Sequence, residues 1–360
     1  MSRVAVIHDW LTGMRGGEAV LEAILDILPD ADLFTLFHFP GSVSQRIESR
    51  NIITSNVQKL AQTTSDYRRL LPLFPHAVRK WDLSAYDFIV SSSHCVAKGV
   101  NARGLPHLSY CHTPMRYIWD RFDDYFPRSR PLRRAAAMSI APWLRRWDVT
   151  TANEVTRFVA NSRFVRDRIR RYYKRDAEVV HPYVDDAFLS APIEKERGDY
   201  HVIVSALVPY KRVELALATG KKLVVIGSGP LFDELKRRGG PPGKTNVEML
   251  GSVSRAEIIA RLARAQSLIL PGVEDFGIAP LEAMALGIPI VALREGGVLD
   301  TVVEGVTGIF FDRPEVDSLR SALDAVESRE WDRPAIRAHA ERFSRARFDR
   351  ELRAQLQTLR

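Results

Sequence analysis

The chain is short of cysteine, of long apolar runs and of internal repetition, and each shortage removes a class of protein. Only two cysteines occur, Cys95 and Cys111. Two are too few for a disulfide framework, suit a reducing compartment, and read as small buried hydrophobes. The longest near-apolar run, AAAMSIAPWL at 135–144, contains Pro142 and is about half the ~20 residues that span a bilayer. Asp9 interrupts the first apolar stretch, VAVIHDWL, so no signal peptide is expected and the expected location is cytoplasmic. Repeats and low-complexity tracts are missing, and with 46% apolar and 27% charged residues the composition is that of a globular chain. One acidic pair, Asp30-Ala31-Asp32, imitates a metal-binding D-x-D. It follows Leu28-Pro29 between a helical and an extended stretch, which marks turn residues, and no obligatory metal is expected.

Charge of one sign is what the first half has in excess. Residues 1–180 hold 27 basic against 18 acidic side chains, whereas the remainder holds 25 against 26. Within 101–180 the ratio is 17 to 8. Such an uneven distribution points to an acidic partner on one side only. At 360 residues and about one domain per ~150, two domains are expected.

Short apolar, β-branched runs alternate with helical patterns along almost the whole chain, which predicts α/β layering with buried parallel sheets. The predicted strands are 4–10, 32–37, 87–93, 107–112 and 157–162, then 201–207, 222–229, 247–253, 267–272, 288–293 and 307–311. A charged, loop-like stretch at 176–199 separates the two sets. The expected domains are 1–180 and 181–340, with a final helix at 341–360 returning toward the first. Ligands of such sheets bind beyond the carboxyl ends of the strands, and the following motifs all sit there.

SLILPG is followed by VEDFGI and then APLEAMALG, a strand, a loop and a helix. Pro280 suits the first helical turn and Gly287 the helix stop. The free amides at 278–281 and the helix dipole would stabilise an anion, and Gly277 permits close backbone approach. Glu274 and Glu282, separated by seven residues, flank a ligand-sized space and can accept hydrogen bonds from sugar hydroxyls. Taken singly, Glu282 reads equally as a dipole partner or a functional acid, and Glu274 equally as a surface acid or a functional one. SALVPYKRVELAL (205–217) delivers two adjacent cations, Lys211 and Arg212, to a helix start. Both oppose the dipole there, so a bound diphosphate would explain them. VVIGSGPLFDEL (224–235) offers Gly227 and Gly229 before another helix but lacks the full G-x-G-x-x-G pattern. NVEMLGSV ends a further strand near Val253, where a base could lie, and REGGVLDTV adds a glycine pair.

Taken together, E-D-F-G-I-x-P-x-E-A-M-A-x-G at 274–287, preceded by L-V-P-Y-K-R and I-G-x-G-P, resembles the nucleotide-sugar domain of family 4 retaining glycosyltransferases. These have the GT-B architecture, two Rossmann-like parallel-sheet domains facing a central crevice. The resemblance implies that Glu282 holds the nucleotide ribose and Glu274 the donor sugar. Phe276, Gly277, Ile278 and Ala279 would line sugar and phosphates, and Lys211 would neutralise the leaving diphosphate. The family often carries an arginine five residues before that lysine. Ala206 stands there, which leaves Arg212 to supply the second charge.

The resemblance extends to the first half. In HDWLTGMRGGEAVLEAIL (8–25) the Gly16–Gly17 amides would approach the donor phosphates. Glu18 reads equally as a dipole partner or a functional acid. YCHTPMRYIWDRF (110–122) resembles bacterial mannosyltransferases of polysaccharide assembly, with His112 near the reacting carbon of the donor sugar. Of SSSHCVAKGV (91–100), serine capping and His94 packing are the favoured reading, with Lys98 as a candidate phosphate contact. Residues 121–148 hold seven Arg and two Trp. Arginine with interfacial aromatics suits an anionic membrane surface, or equally a solvated helix face, and RRLLPLFPHAVRKW (68–81) has similar character. Nucleic acid is not an expected partner, since no recognition element accompanies the charge.

The implied function is retaining transfer of a hexose, mannose from GDP-mannose, to a glycan or lipid-linked glycan hydroxyl, with no cofactor. The enzyme would sit in the cytoplasm or on the cytoplasmic face of the inner membrane. Alternatives are a UDP-sugar donor, a nucleotide-sugar epimerase of the same fold and, remotely, a nucleic-acid binder.

Overall fold

A computed structural model describes residues 3–64, 66–240 and 246–359. The chain divides into two compact units, Met1–His181 with Asp349–Arg360, and Pro182–Phe348.

The first unit is built on β1 (Val4–His8), β2 (Asp32–Thr35), β3 (Ile52–Thr54), β4 (Phe88–Ser93), β5 (His107–Cys111), β6 (Arg157–Ala160) and β7 (Ala177–Val179). These form one sheet in the order β3-β2-β1-β4-β5-β6-β7, and every pairing is parallel. Every residue of β1, β4 and β5 is buried, as strands covered by helices on both faces must be. Ile7, Phe37, Phe74 and Ile89 lie in the main core cluster.

The second unit holds β8 (His201–Val204), β9 (Leu223–Ile226), β10 (Val247–Gly251), β11 (Leu268–Leu270), β12 (Ile290–Leu293) and β13 (Gly308–Phe311). Their order is β10-β9-β8-β11-β12-β13, again all parallel. Both units are therefore Rossmann-like sheets, as expected. In each, strand order reverses once, between β1 and β4 and between β8 and β11, and those switch points are where open α/β sheets bind ligands.

All eleven predicted strands are present, and two more, β3 and β7, were not foreseen. Both are three-residue strands, and β7 exposes its central Glu178. Pairing to β2 and β6, rather than local sequence, makes them strands. Both cysteines are buried. Asp32 opens β2 and accepts from Tyr86 Oη at 2.6 Å and Asn51 Nδ2 at 2.7 Å, a structural use of the D-x-D pair. Among the described residues, no helix is long and apolar enough to cross a membrane.

Candidate active site

In the second unit the reversal point brings the loop after β8 against the loop after β11. Gly272 lies so close to the first loop that a Cβ there would stand 2.7 Å from Lys211 Cα. This backbone contact carries Lys211 Nζ onto the Glu274 carboxylate as an ion pair. Lys211 is buried and Glu274 half-buried, so the pair is shielded more than a surface bridge. Two of the residues expected to hold opposite parts of one ligand therefore hold each other.

Arg212 follows with φ 51° and ψ 37°, a left-handed conformation that costs a non-glycine residue about 1–2 kcal/mol. Its Nη1 is buried without a hydrogen-bond partner, a state that costs free energy until an acceptor arrives. A strained backbone and an unsatisfied guanidinium nitrogen on one residue fit an anion site.

Glu282 lies on the helix Ile278–Ala285, whose first turn holds no acid. It stands at the start of the second turn, because the helix begins at Ile278 directly after the Gly277 cap. Burial, and then the nearby Asp185 carboxylate, push Glu282 up to about 7 from 4.5, with Arg255 opposing. Gly277 has φ 87°, which only glycine adopts freely. Phe276 is 3% exposed, its ring 6.5 Å from Phe343, and it braces the loop from inside. Ile278 and Ala279 are half-buried at the helix start, and Val253 is half-buried just before the helix Arg255–Ala263. Gly227 and Gly229 pack on the backbone of Ser205–Leu207; a Cβ at 229 would be 2.8 Å from the Leu207 carbonyl carbon. Their small size is thus required by the fold itself.

In the first unit, Gly16 and Gly17 open the helix Gly16–Ile27 directly after the β1 loop. A Cβ on Gly17 would sit 4.0 Å from His112 Nε2, so the structure brings these two expected residues together. Sequence reasoning passed over what surrounds them. Asp9, fully buried, accepts from the amides of His94 (2.7 Å), Cys95 (2.9 Å), Val96 (2.7 Å) and Ala97 (2.8 Å), a complete set of charge-assisted bonds. His94 Nδ1 lies 3.2 Å from the same carboxylate. Burial, and next His8, push the His94 imidazole down to about 3, so it stays neutral. Ser92 Oγ bridges His8 Nδ1 at 3.1 Å and His112 Nε2 at 2.8 Å. The only sequence signal was the position of His8 at the carboxyl end of a buried strand.

Lys98 is a correction. A candidate phosphate contact by its motif, it is 1% exposed, 2.9 Å from Asp148 Oδ1, and donates to Asp148 O at 2.7 Å and Thr151 Oγ1 at 3.1 Å. Trp119 and Tyr173 donate to the other Asp148 oxygen at 2.8 and 2.9 Å. A cation so enclosed organises the core.

Residues 30–188 match the family described as Glycosyltransferase Family 4, and residues 186–346 match Glycosyl transferases group 1. The chain belongs to glycosyltransferase family 4, in its two-domain GT-B form. A GDP-mannose-dependent alpha-(1-6)-phosphatidylinositol monomannoside mannosyltransferase of Mycolicibacterium smegmatis is 31% identical over 200 residues, 47% of this chain and 52% of the relative. An uncharacterized glycosyltransferase of Methanocaldococcus jannaschii is 24% identical over 196 residues, 52% of this chain and 54% of that one. The chain spans about half the length of these curated relatives. In fold it is similar to HepE of Anabaena in complex with UDP-glucose, with TM-score 0.72 and 16% identity over 99% of this chain and 100% of that one.

Proposed function

We propose that the protein is a retaining glycosyltransferase that moves mannose from GDP-mannose to a hydroxyl of a glycan or lipid-linked glycan. The observation that carries this reading is the Lys211–Glu274 pair at the reversal point of the second sheet. A donor diphosphate competes with Glu274 for Lys211 and meets the unsatisfied Arg212 Nη1. The carboxylate set free accepts from hydroxyls of the donor sugar, and Glu282 accepts from the ribose. Gly16, Gly17 and His112 are assigned to the same donor by their motifs. As the glycosidic bond breaks, charge grows on the leaving phosphate, where fixed cations and helix amides favour the transition state over the ground state. No carboxylate is assigned as nucleophile. The leaving phosphate takes the acceptor proton on the face from which the sugar departs, so the anomeric configuration is retained.

Mannose and guanine are supported by the name of the Mycolicibacterium relative. An anionic membrane surface is supported by the helix Pro131–Ala152, which exposes Leu132, Met138 and Trp143 beside Arg133 and Arg146. This would place the enzyme at the cytoplasmic face of a membrane. The test is thermal denaturation with GDP, UDP and ADP sugars, because a ligand of the native state raises its apparent stability. GDP-mannose should raise Tm in the native chain and not in Lys211→Ala. Stabilisation by UDP sugars alone would refute the mannose assignment, and turnover of the donor at full rate without acceptor would favour an epimerase.

A further inference from the structure

His8 and Ser92 have no role in the proposed transfer, yet both are fully buried beside His112. The serine hydroxyl stands between two ring nitrogens, His8 Nδ1 at 3.1 Å and His112 Nε2 at 2.8 Å. A hydroxyl has one proton, so it donates to one imidazole and accepts from the other. The two histidines are therefore not independent: a bare nitrogen on one side of Ser92 requires a protonated nitrogen on the other.

The far side of His8 decides the direction. Its Nε2 has no hydrogen-bond partner and faces Glu18 Oε1 at 3.8 Å, too long for a hydrogen bond but close enough for the carboxylate field to act. Burial acts to raise the Glu18 carboxyl, but the nearby His8 imidazole outweighs it and holds the carboxyl below its ordinary value. The Arg15 amide also donates to Glu18 Oε2 at 3.1 Å. An ionised Glu18 favours the proton of a neutral His8 on Nε2. His8 Nδ1 is then bare, Ser92 donates to it, and His112 must donate to Ser92 through its own Nε2–H. Around this cluster also lie Asp9, engaged by four amides, and Arg15 and Arg116, which help keep His94 neutral.

We propose that Glu18, His8 and Ser92 are positioning residues that set the tautomer of His112. With the His8 proton on Nε2, His112 carries its own proton on Nε2 and donates it to Ser92 Oγ. The relevance to catalysis rests on the assignment of His112 to the donor sugar, whereas the tautomer coupling does not.

The test is long-range proton–nitrogen NMR on the full chain with 15N-histidine. At about pH 8, above the ordinary imidazole value of about 6.5, His112 should show the Nε2–H tautomer, and Glu18→Gln should shift its proton toward Nδ1. Ser92→Ala should abolish that dependence on Glu18, and Ser92→Thr, which keeps the hydroxyl, should restore it. Ser92→Ala should also lower kcat roughly tenfold with KM little changed, the scale on which outer partners of an imidazole act. A wild-type His112 already in the Nδ1–H form at about pH 8, or one blind to Glu18→Gln, overturns the proposal. A correct tautomer pattern with transfer insensitive to His112→Ala would leave the coupling standing and remove His112 from the donor site.

Discussion

Glu282 concentrates the residue-scale consequences, because burial and Asp185 push it up to about 7. A raised carboxyl binds a proton more tightly folded than unfolded. Its contribution to stability is therefore present at low pH and is lost as pH rises from about 4.5 through about 7. Glu282→Gln should accordingly have a higher Tm than the native chain above pH 7 and a matching one near pH 4, checked by calorimetry across pH. In its proposed role, accepting from ribose hydroxyls favours the ionised form, so nucleotide affinity should rise roughly tenfold between about pH 6 and pH 8 with release of a proton. Titration calorimetry in two buffers measures both effects, and Glu282→Gln should flatten the slope. Lys98 supplies the opposite case, a cation already satisfied. Lys98→Met leaves Asp148 buried and uncompensated, a change that typically costs about 3–5 kcal/mol. Chemical denaturation should show that loss, while the donor affinity of the folded fraction stays unchanged.

At the scale of elements, the two loops of the second switch point act as one piece because Gly272 allows their backbones to touch. Gly272→Ala should displace Tyr210–Lys211, cost about 1–3 kcal/mol of stability as overpacking does, and lower transfer more than Glu282→Gln does. Crystallography of the variant would show Lys211 parted from Glu274. This scale also explains what the sequence disclosed. Buried central strands such as VAVIH and LVVI read directly as apolar runs, because a strand covered on both faces needs nothing else. β3 and β7 did not, since an edge strand of three residues is defined by its neighbour. The Lys211–Glu274 contact was hidden for a similar reason. In sequence the two residues are far apart, and only the placement of β11 beside β8, rather than beside β10, joins them. Ser92 was legible as a strand residue, but its place between two histidines depends on the adjacency of β1, β4 and β5. The Lys98 expectation failed because the residue type alone does not tell a solvated cation from one enclosed by an aspartate.

At the scale of the molecule, positive charge is gathered in residues 101–180, and there the helix Pro131–Ala152 leaves Leu132 88% exposed. Full-length protein should sediment with anionic vesicles and not with neutral ones, less so as salt rises, each basic residue near the surface contributing about 1 kcal/mol. Trp143→Ala with Leu132→Ser should weaken this binding while leaving the GDP-mannose thermal shift intact. The Lys211–Glu274 pair also bears on turnover. In the proposed transfer, a donor arrives with hydroxyls that compensate the displaced Glu274, whereas the spent nucleoside diphosphate carries no sugar to do so. Once transfer is complete, the stranded carboxylate would reclaim its lysine and loosen the grip on the departing nucleotide. The resting contact would thus act as a spring that clears product, keeping the enzyme from being throttled by its own by-product.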